Sequence, residues 1–265
     1  FGAAAQFGIF FTFAMAALLG FDIRDAASIA VIGAADGPTS IFVANFLNSQ
    51  YLGPIIVAAY SYMALVPIVQ PPVIRALTTK NERRIRMGYT GTKVSKRTKI
   101  LFPIFVTILT GIVSPRAVAL IGFLMFGNLL RECGVLEALS ETAQKVLANL
   151  ITLLLGITVA SKMTADAFLN WQTLMILGLG LVAFIFDTVG GVLFAKLLNL
   201  FCKNKINPMI GAAGISAFPM SARVVHKMGL AEDNQNFLLM HAVGVNVSGQ
   251  IASVIAGGMI LGFFG

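Results

Sequence analysis

Residues 32–40 read IGAADGPTS, and residues 210–218 read IGAAGISAF. The two phrases align Asp36 with Gly214, so one chain carries the same glycine-rich wording twice and an acid in only one copy. Both lie in short apolar segments interrupted by Gly or Pro. A matched pair of broken apolar segments in two halves of a chain is the pattern of an inverted-repeat transporter. Breaking a helix at membrane depth frees backbone carbonyls and half-helix ends, and these can coordinate a cation. Tight helix packing through small residues would explain one such phrase. Two matched phrases, one bearing an aspartate, favour a site.

The surroundings fit a bilayer. Of 265 residues, 57% are hydrophobic and 11% charged, against about a quarter charged in soluble domains; mean hydropathy is +0.87. Several apolar runs reach the roughly 20 residues a spanning helix needs, and the alternating pattern of a barrel is absent. The expected fold is an all-α polytopic membrane protein, one transmembrane domain over 1–265. Its first broken or re-entrant segment falls at 27–47 and its second at 206–218. The chain opens FGAAAQFGIF without an initiator Met or a basic leader, and reads as lacking an N-terminal part.

Spans are expected at 1–20, 53–77, 148–165, 171–199 and 237–263, with 100–131 as two shorter spans hinged at Ser114-Pro115. The acids and apolar residues of 132–147 suit an amphipathic surface helix. The net charge of +8 is concentrated in 78–99, where Lys80, Arg83, Arg84, Arg86, Lys93, Lys96, Arg97 and Lys99 face a single Glu82. That loop is expected in the cytoplasm; it also offers a surface for an acidic partner, and nothing points to nucleic acid. If the repeats are inverted, the first phrase enters from outside and the second from inside. Cys133 and Cys202 have no metal spacing and are expected to be unpaired.

Asp36 is the sharpest candidate, because a carboxylate within an apolar segment is costly to keep. Its oxygens suit a hard cation, and the alternative is an Asp capping the half-helix at Gly37-Pro38. Thr39 and Ser40 add hydroxyls. Tyr60 and Tyr62 are two residues apart in an apolar run, where a phenol either donates to a site or belongs to an aromatic belt. Asn207, Ser216 and Ser221 supply neutral oxygens in the second segment. Arg223 either grips a carboxylate or reaches for the interface. Asn246, Ser248, Gln250 and Ser253 punctuate the last apolar helix, and Asp187 is a second acid in an apolar run. His226 and His241 lack ligand spacing. No P-loop, zinc motif or Ser-His-Asp arrangement is present.

GAADGPTSIF, YSYMALVPIVQPP, DTVGGVLFAKLLN, NPMIGAAGISAFPMSAR and HAVGVNVSGQIAS resemble the β subunit of the sodium-pumping biotin-dependent decarboxylases. These act on oxaloacetate, methylmalonyl-CoA, glutaconyl-CoA or malonate. The resemblance runs across the whole chain, apart from N-terminal helices that family members have in addition. It implies a translocase of the cytoplasmic membrane. Carboxybiotin, carried by a soluble carboxyltransferase α subunit and not attached to this chain, is decarboxylated with uptake of a proton, and sodium ions are exported. The resemblance implies Asp36 as the sodium and proton site and Tyr62 as proton donor. It also implies Asn207, Gly211, Ser216 and Arg223 in sodium binding and coupling, and Asn246 as a further sodium ligand. A small single-span γ subunit and a homo-oligomer are the implied assembly. A free-standing sodium/proton antiporter, or a sodium-coupled organic-anion transporter, would use the same broken helices without biotin. A passive anchor would have no use for Asp36 or Asp187.

Overall fold

The computed structural model describes residues 1–88, 94–162 and 170–265. Lys93 of the basic loop and residues 163–165 of one expected span lie outside them. Among the described residues there are helices and turns and no strand. The helices are α1 Phe7–Leu18, α2 Ile23–Ala30, α3 Gly37–Phe46, α4 Leu52–Leu77, α5 Lys80–Arg83 and α6 Lys96–Val113. They continue as α7 Val118–Cys133, α8 Glu137–Thr142, α9 Ala148–Lys162, α10 Trp171–Phe201, α11 Met220–Glu232 and α12 Leu239–Phe264.

Local chemistry sets many of these boundaries. Asp22 caps α2 at the Arg24 N–H, Ser95 caps α6 at Thr98, and Asn170 caps α10 at Thr173, each satisfying an amide that the first turn leaves free. Ser114-Pro115 divides α6 from α7 as the sequence predicts, through the 3-10 turn Pro115–Ala117. The expected boundary between a helix at 132–147 and a span at 148–165 is corrected. Gly134, left-handed at φ 73°, ends α7. From Glu137 one rod then continues through a π turn at Ala143–Leu147 into α9. No Gly or Pro falls between 137 and 155 to break it; one wide turn absorbs the misfit instead.

Among the described residues three helices, α4, α10 and α12, are long and apolar enough to cross a membrane. Their most apolar windows are only 39 to 50% buried, and α6, α7 and α9 expose Phe105, Ile112, Phe123, Leu153 and Ile157. Apolar outer surfaces of this extent need lipid or protein rather than water, so this is a membrane protein. The interior holds three main clusters, the third around Ile9, Val43 and Leu261. Phe184, Met209, Ile215 and Val225 pack in the first, and Ile29, Ile32, Ile55 and Ile176 in the second.

Both broken segments fold back on themselves. In the first, α2 runs into a 3-10 turn Val31–Ala34, and α3 returns. Asp25 at the start of α2 accepts from Ser49 Oγ at 2.6 Å and Gln50 Nε2 at 3.0 Å, just beyond the end of α3. In the second, a 3-10 turn Pro208–Gly214 leads to α11. Asn207 before the turn and Asn236 after α11 both donate to the Arg83 carbonyl, each at 2.9 Å. The first clasp adjoins the start of α4 at Leu52, and the second lies six residues beyond its end at Leu77. A helix of 26 residues is about 39 Å long, so the two clasps lie at opposite ends of α4.

The described part of the basic segment is tied down at four ion pairs. Arg83 pairs with Glu232 at 2.7 Å, Arg86 with Asp233 at 2.6 Å, Lys196 with Glu82 and Lys99 with Glu132, each at 3.1 Å. The Arg83 hydrogen bond and charge hold the Glu232 carboxyl below its ordinary value, and the Arg86 guanidinium does the same for Asp233. For Glu82, partial burial alone would raise the carboxyl; bonds from the Thr79 N–H and Lys196 outweigh it and leave it lowered. Groups with depressed folded values contribute stability above the unfolded carboxylate range, about 4, and lose it as pH falls through the folded values. Thermal midpoints measured downward from pH 6 are therefore expected to fall below about pH 4.5. Glu232→Gln should flatten that fall, modestly because the pair is near the surface. An identical acid profile in the variant would show that the pair contributes nothing.

Candidate functional site

The tips of the two hairpins meet beside α12. The Ser216 N–H donates to the Ala34 carbonyl at 3.0 Å, joining the second glycine-rich phrase to the first. Between them Ala35 is left-handed, at φ 51°. A non-glycine residue there costs on the order of 1–3 kcal/mol and marks positions that the surrounding structure over-determines. It turns the chain so that Asp36 heads α3.

Asp36 plays both parts that its sequence context allows. Oδ1 caps α3 by accepting the Thr39 N–H at 3.2 Å. Oδ2 lies 2.9 Å from Ser253 Oγ of α12. Ser253 Oγ is also 2.9 Å from the Gln250 carbonyl and is hydrogen-bonded to Ser216 Oγ. Ser216 Oγ in turn lies 3.3 Å from the Gly249 carbonyl. Two hydroxyl protons thus serve five oxygens: one carboxylate, two hydroxyls and two carbonyls. Each hydroxyl donates only one hydrogen, so the cluster has lone pairs to spare, as a hard-cation site requires. It opens on a cavity of about 300 Å³ lined by Asp36, Thr39, Ser216, Gln250, Phe218 and Leu124, among others. Thr39 is 1% exposed. Among the described residues no three His, Cys, Asp or Glu side chains gather as a metal cluster, so the donors here are one carboxylate and neutral oxygens.

Other predicted residues lie elsewhere. Asn207 Nδ2 donates to the Arg83 and Ile85 carbonyls at 2.9 Å, and its Oδ1 accepts from the Met209 N–H at 3.1 Å. It closes the second hairpin and is not beside Asp36. Gly211 is a close-approach residue: a Cβ there would strike the Gly191 carbonyl of α10, and one on Gly191 would strike Gly211. Asn246 is fully buried and donates to the Ile215 carbonyl at 2.6 Å. Ser248 Oγ bonds back to Val245 within α12. Asp187 is fully buried and accepts the Gly8 N–H at 2.5 Å, on the side of α10 against α1. Arg223 is exposed in the first turn of α11, and its guanidinium makes no bond or ion pair with the described residues.

The two tyrosines part company. Tyr62 is 6% exposed and donates its O–H to the Leu177 carbonyl of α10. Tyr60 points the other way. A Cβ added to Gly37 would come within 2.9 Å of its ring, so Tyr60 lies against the residue after Asp36. The residue implied as proton donor is therefore turned from the cluster, and its neighbour is turned toward it. Cys133 and Cys202 are free thiols, as expected.

Reasoning from the sequence passed over Gln70. It is fully buried, donates to the Ala212 carbonyl at 2.8 Å and accepts from Ser221 Oγ at 3.1 Å, which ties α4 to the second hairpin. The signal was present: a lone amide in VPIVQPP, inside an apolar run.

Comparison with known proteins follows the same residues. The model of the family described as Na+-transporting oxaloacetate decarboxylase beta subunit matches residues 1–264. Among similar proteins, the methylmalonyl-CoA decarboxylase subunit beta of Propionigenium modestum is 55% identical over 265 residues, covering 100% of this chain and 67% of its own. The oxaloacetate decarboxylase beta chain of Klebsiella pneumoniae is 54% identical over 266 residues, 98% of this chain and 61% of its own. The glutaconyl-CoA decarboxylase subunit beta of Acidaminococcus fermentans is 49% identical over 264 residues, 100% and 70%. The chain therefore spans some 61 to 70% of the length of these relatives. With the family model matched from end to end and Asp36, Ser216 and Asn246 standing in the motifs that carried the resemblance, this chain belongs to the family of Na+-transporting oxaloacetate decarboxylase beta subunits.

Proposed function

We propose that this chain is the membrane part of a sodium-pumping decarboxylase, in which the Asp36 cluster takes the exported ion and carboxybiotin is decarboxylated beside it. The observation that carries the reading is the surplus of oxygen over protons among Asp36, Ser253, Ser216 and two α12 carbonyls. The ion is cargo, held by one carboxylate and neutral donors, a set weak enough to let it leave. The placing of the two clasps at opposite ends of α4 supports an inverted-repeat arrangement with the first hairpin re-entrant from outside. The arginine-rich end of α4 and α5 supports a cytoplasmic second clasp, and with it a multi-pass protein of the cytoplasmic membrane.

Carboxybiotin, which supplies the decarboxylation energy, would come from a biotin-carrying α subunit. Protonation of the departing ureido nitrogen makes the loss of carbon dioxide easier, so a positioned acid is needed. Arg223, exposed and unpaired, is suited to hold the carboxylate beforehand. The reading extends to a single-span γ subunit and a homo-oligomer. The test is the full-length protein in detergent, given carboxybiotin with and without sodium. Sodium-dependent release of carbon dioxide is expected, and sodium/proton exchange in vesicles without any need for carboxybiotin would replace this reading with the antiporter.

Ser216→Ala should raise the sodium concentration for half-maximal turnover about tenfold, with the maximum less affected, because it removes a neutral ligand rather than the chemistry. Asn207→Ala should instead lower the thermal midpoint, since its amide holds the second clasp. Unchanged sodium dependence in Ser216→Ala would take Ser216 out of the ion site.

A further inference from the structure

The hinge at Ser114-Pro115 lies at the end of the bundle away from the basic segment. Lys99 near the start of α6 pairs with Glu132 near the end of α7 at 3.1 Å, so the two helices form a hairpin with the hinge at its tip. The 18 residues of α6 put that tip about 27 Å from Lys96, close to the apolar thickness of a bilayer, about 30 Å. The last turns of α12 reach the same level: a Cβ on Gly258 would strike Ala117 and stand 2.8 Å from Ser114 Oγ. Between the hinge and those turns is a cavity of about 320 Å³, lined by Val113, Ser114, Arg116, Met259, Gly262 and Phe263, among others. It shares no lining residue with the cavity at Asp36.

Two polar groups in its wall have capacity left. Ser114 is 4% exposed, and its hydroxyl has no hydrogen-bond partner among the described residues. Arg116 Nη1 donates to the Leu261 carbonyl, and the guanidinium lies 5.7 Å from the centroid of the Phe46 ring. No acidic side chain pairs with it among the described residues, and its Nε and Nη2 have no partner there. An arginine that only reached for water would extend from the surface; this one is folded onto the end of α12, over an aromatic ring, and held at the cavity. Ser114 and Pro115 also open the turn that leads into α7, so the positive end of a helix dipole adjoins the same space. The rest of the wall is apolar. Val113 and Phe263 are exposed, and a Cβ on Gly262 would meet nothing within 4 Å.

A guanidinium without a counter-charge, a spare hydroxyl and a helix start beside an apolar slot suit a ligand with anionic oxygens at one end and hydrocarbon at the other. Phosphates are the anions that a bilayer supplies one apolar thickness away from the basic end. We propose that the cavity holds a phospholipid of the leaflet opposite the basic segment, with its phosphate on Arg116 Nε and Nη2 and Ser114 Oγ, and one acyl chain along Val113, Met259 and Phe263. The planar fork of arginine fits two phosphate oxygens at once. Bound there, the lipid fastens the hinge between α6 and α7 to the end of the helix that carries Ser253. Neither glycine-rich phrase takes part, so the site stands apart from the way the Asp36 cluster works.

The full-length protein in detergent is titrated with phosphatidylglycerol, and the lipids bound per chain are counted by native mass spectrometry. The parent is expected to hold one lipid in preference to a diacylglycerol with the same chains, which lacks the phosphate. Arg116→Gln should weaken that lipid by about tenfold or more, the worth of a hydrogen bond to a charge. Gly262→Leu should weaken it as much, by filling the slot without displacing a protein atom. Gly127→Leu, also open at its Cβ but on the outer face of α7, should bind like the parent. Parental affinity in both Arg116→Gln and Gly262→Leu would overturn the proposal. So would equal weakening in Gly127→Leu, which would trace the lipid to the apolar surface at large. A parent that takes diacylglycerol as well as phosphatidylglycerol would refute phosphate recognition. Inorganic phosphate is the last arm: it should not displace the lipid, and displacement at millimolar concentration would assign the site to a free phosphate and overturn the lipid. If Arg116→Gln does not fold, because its bond to the Leu261 carbonyl is lost as well, Gly262→Leu decides alone.

Discussion

Asp36→Asn is expected to abolish sodium export and sodium-dependent decarboxylation together. The substitution keeps the size of the side chain and an oxygen to cap α3 at the Thr39 N–H, so the hairpin should still fold. What it removes is the only carboxylate in the oxygen cluster and with it the charge opposite the ion. Ser253 and Ser216 can still offer hydroxyl oxygens, and α12 its carbonyls, but these are neutral. Removing one partner of a buried charge pair costs about 3–5 kcal/mol; Asp36 is partly buried, so the lower end applies, about 10²-fold in affinity. Sodium at concentrations that saturate the parent would then leave the variant nearly empty. Turnover of carboxybiotin is the measurement, with the thermal midpoint as the control for folding. Parental sodium-dependent turnover in Asp36→Asn would remove the carboxylate from the mechanism, and with it the reading of this cluster as the pump site.

Asp36 was legible because its cost is visible in one dimension: an acid among apolar residues next to Gly-Pro. The duplicated phrase also carried the meeting of the two segments, which the Ser216-to-Ala34 bond completes. Asn207 was legible as a polar group near the second phrase, but its partners are main-chain carbonyls of Arg83 and Ile85. Every residue has a carbonyl, so sequence gives no sign of which one an amide will choose. The break itself was misplaced by two residues. Gly37-Pro38 looks like the interruption, yet Pro38 sits in the first turn of α3, where a missing N–H costs nothing, and the chain turns at Ala35. The merging of 137–162 into one rod escaped for a related reason. The charges Glu141 and Lys145 fit a surface face and pair across one turn, but nothing between them and α9 stops a helix.

The alternation of Tyr60 and Tyr62 shows where sequence stops and geometry begins, and it sets the second large effect. Residues two apart on a helix point about 200° from each other, so only one of them can face Asp36. The structure turns Tyr62 to the Leu177 carbonyl and sets Tyr60 over Gly37, against the head of α3. A general acid must reach the atom it protonates, directly or through one water. Tyr62 would first have to give up its bond to α10, whereas Tyr60 is already beside the cluster and half-buried at the same depth of α4. Tyr60→Phe keeps the ring that packs on Gly37 and removes only the hydroxyl. It should slow carbon dioxide release by about a hundredfold, the lower end of what a positioned acid supplies, with sodium binding and the thermal midpoint near parental. Tyr62→Phe removes the hydroxyl bond to the Leu177 carbonyl, which keeps its place in the α10 ladder, and should lower stability by about 0.5–1.5 kcal/mol, with a smaller change in turnover. The opposite pattern, with Tyr60→Phe turning over like the parent and Tyr62→Phe folded but inactive, would return the donor role to Tyr62. It would also require the Tyr62 hydroxyl to release the Leu177 carbonyl during the cycle.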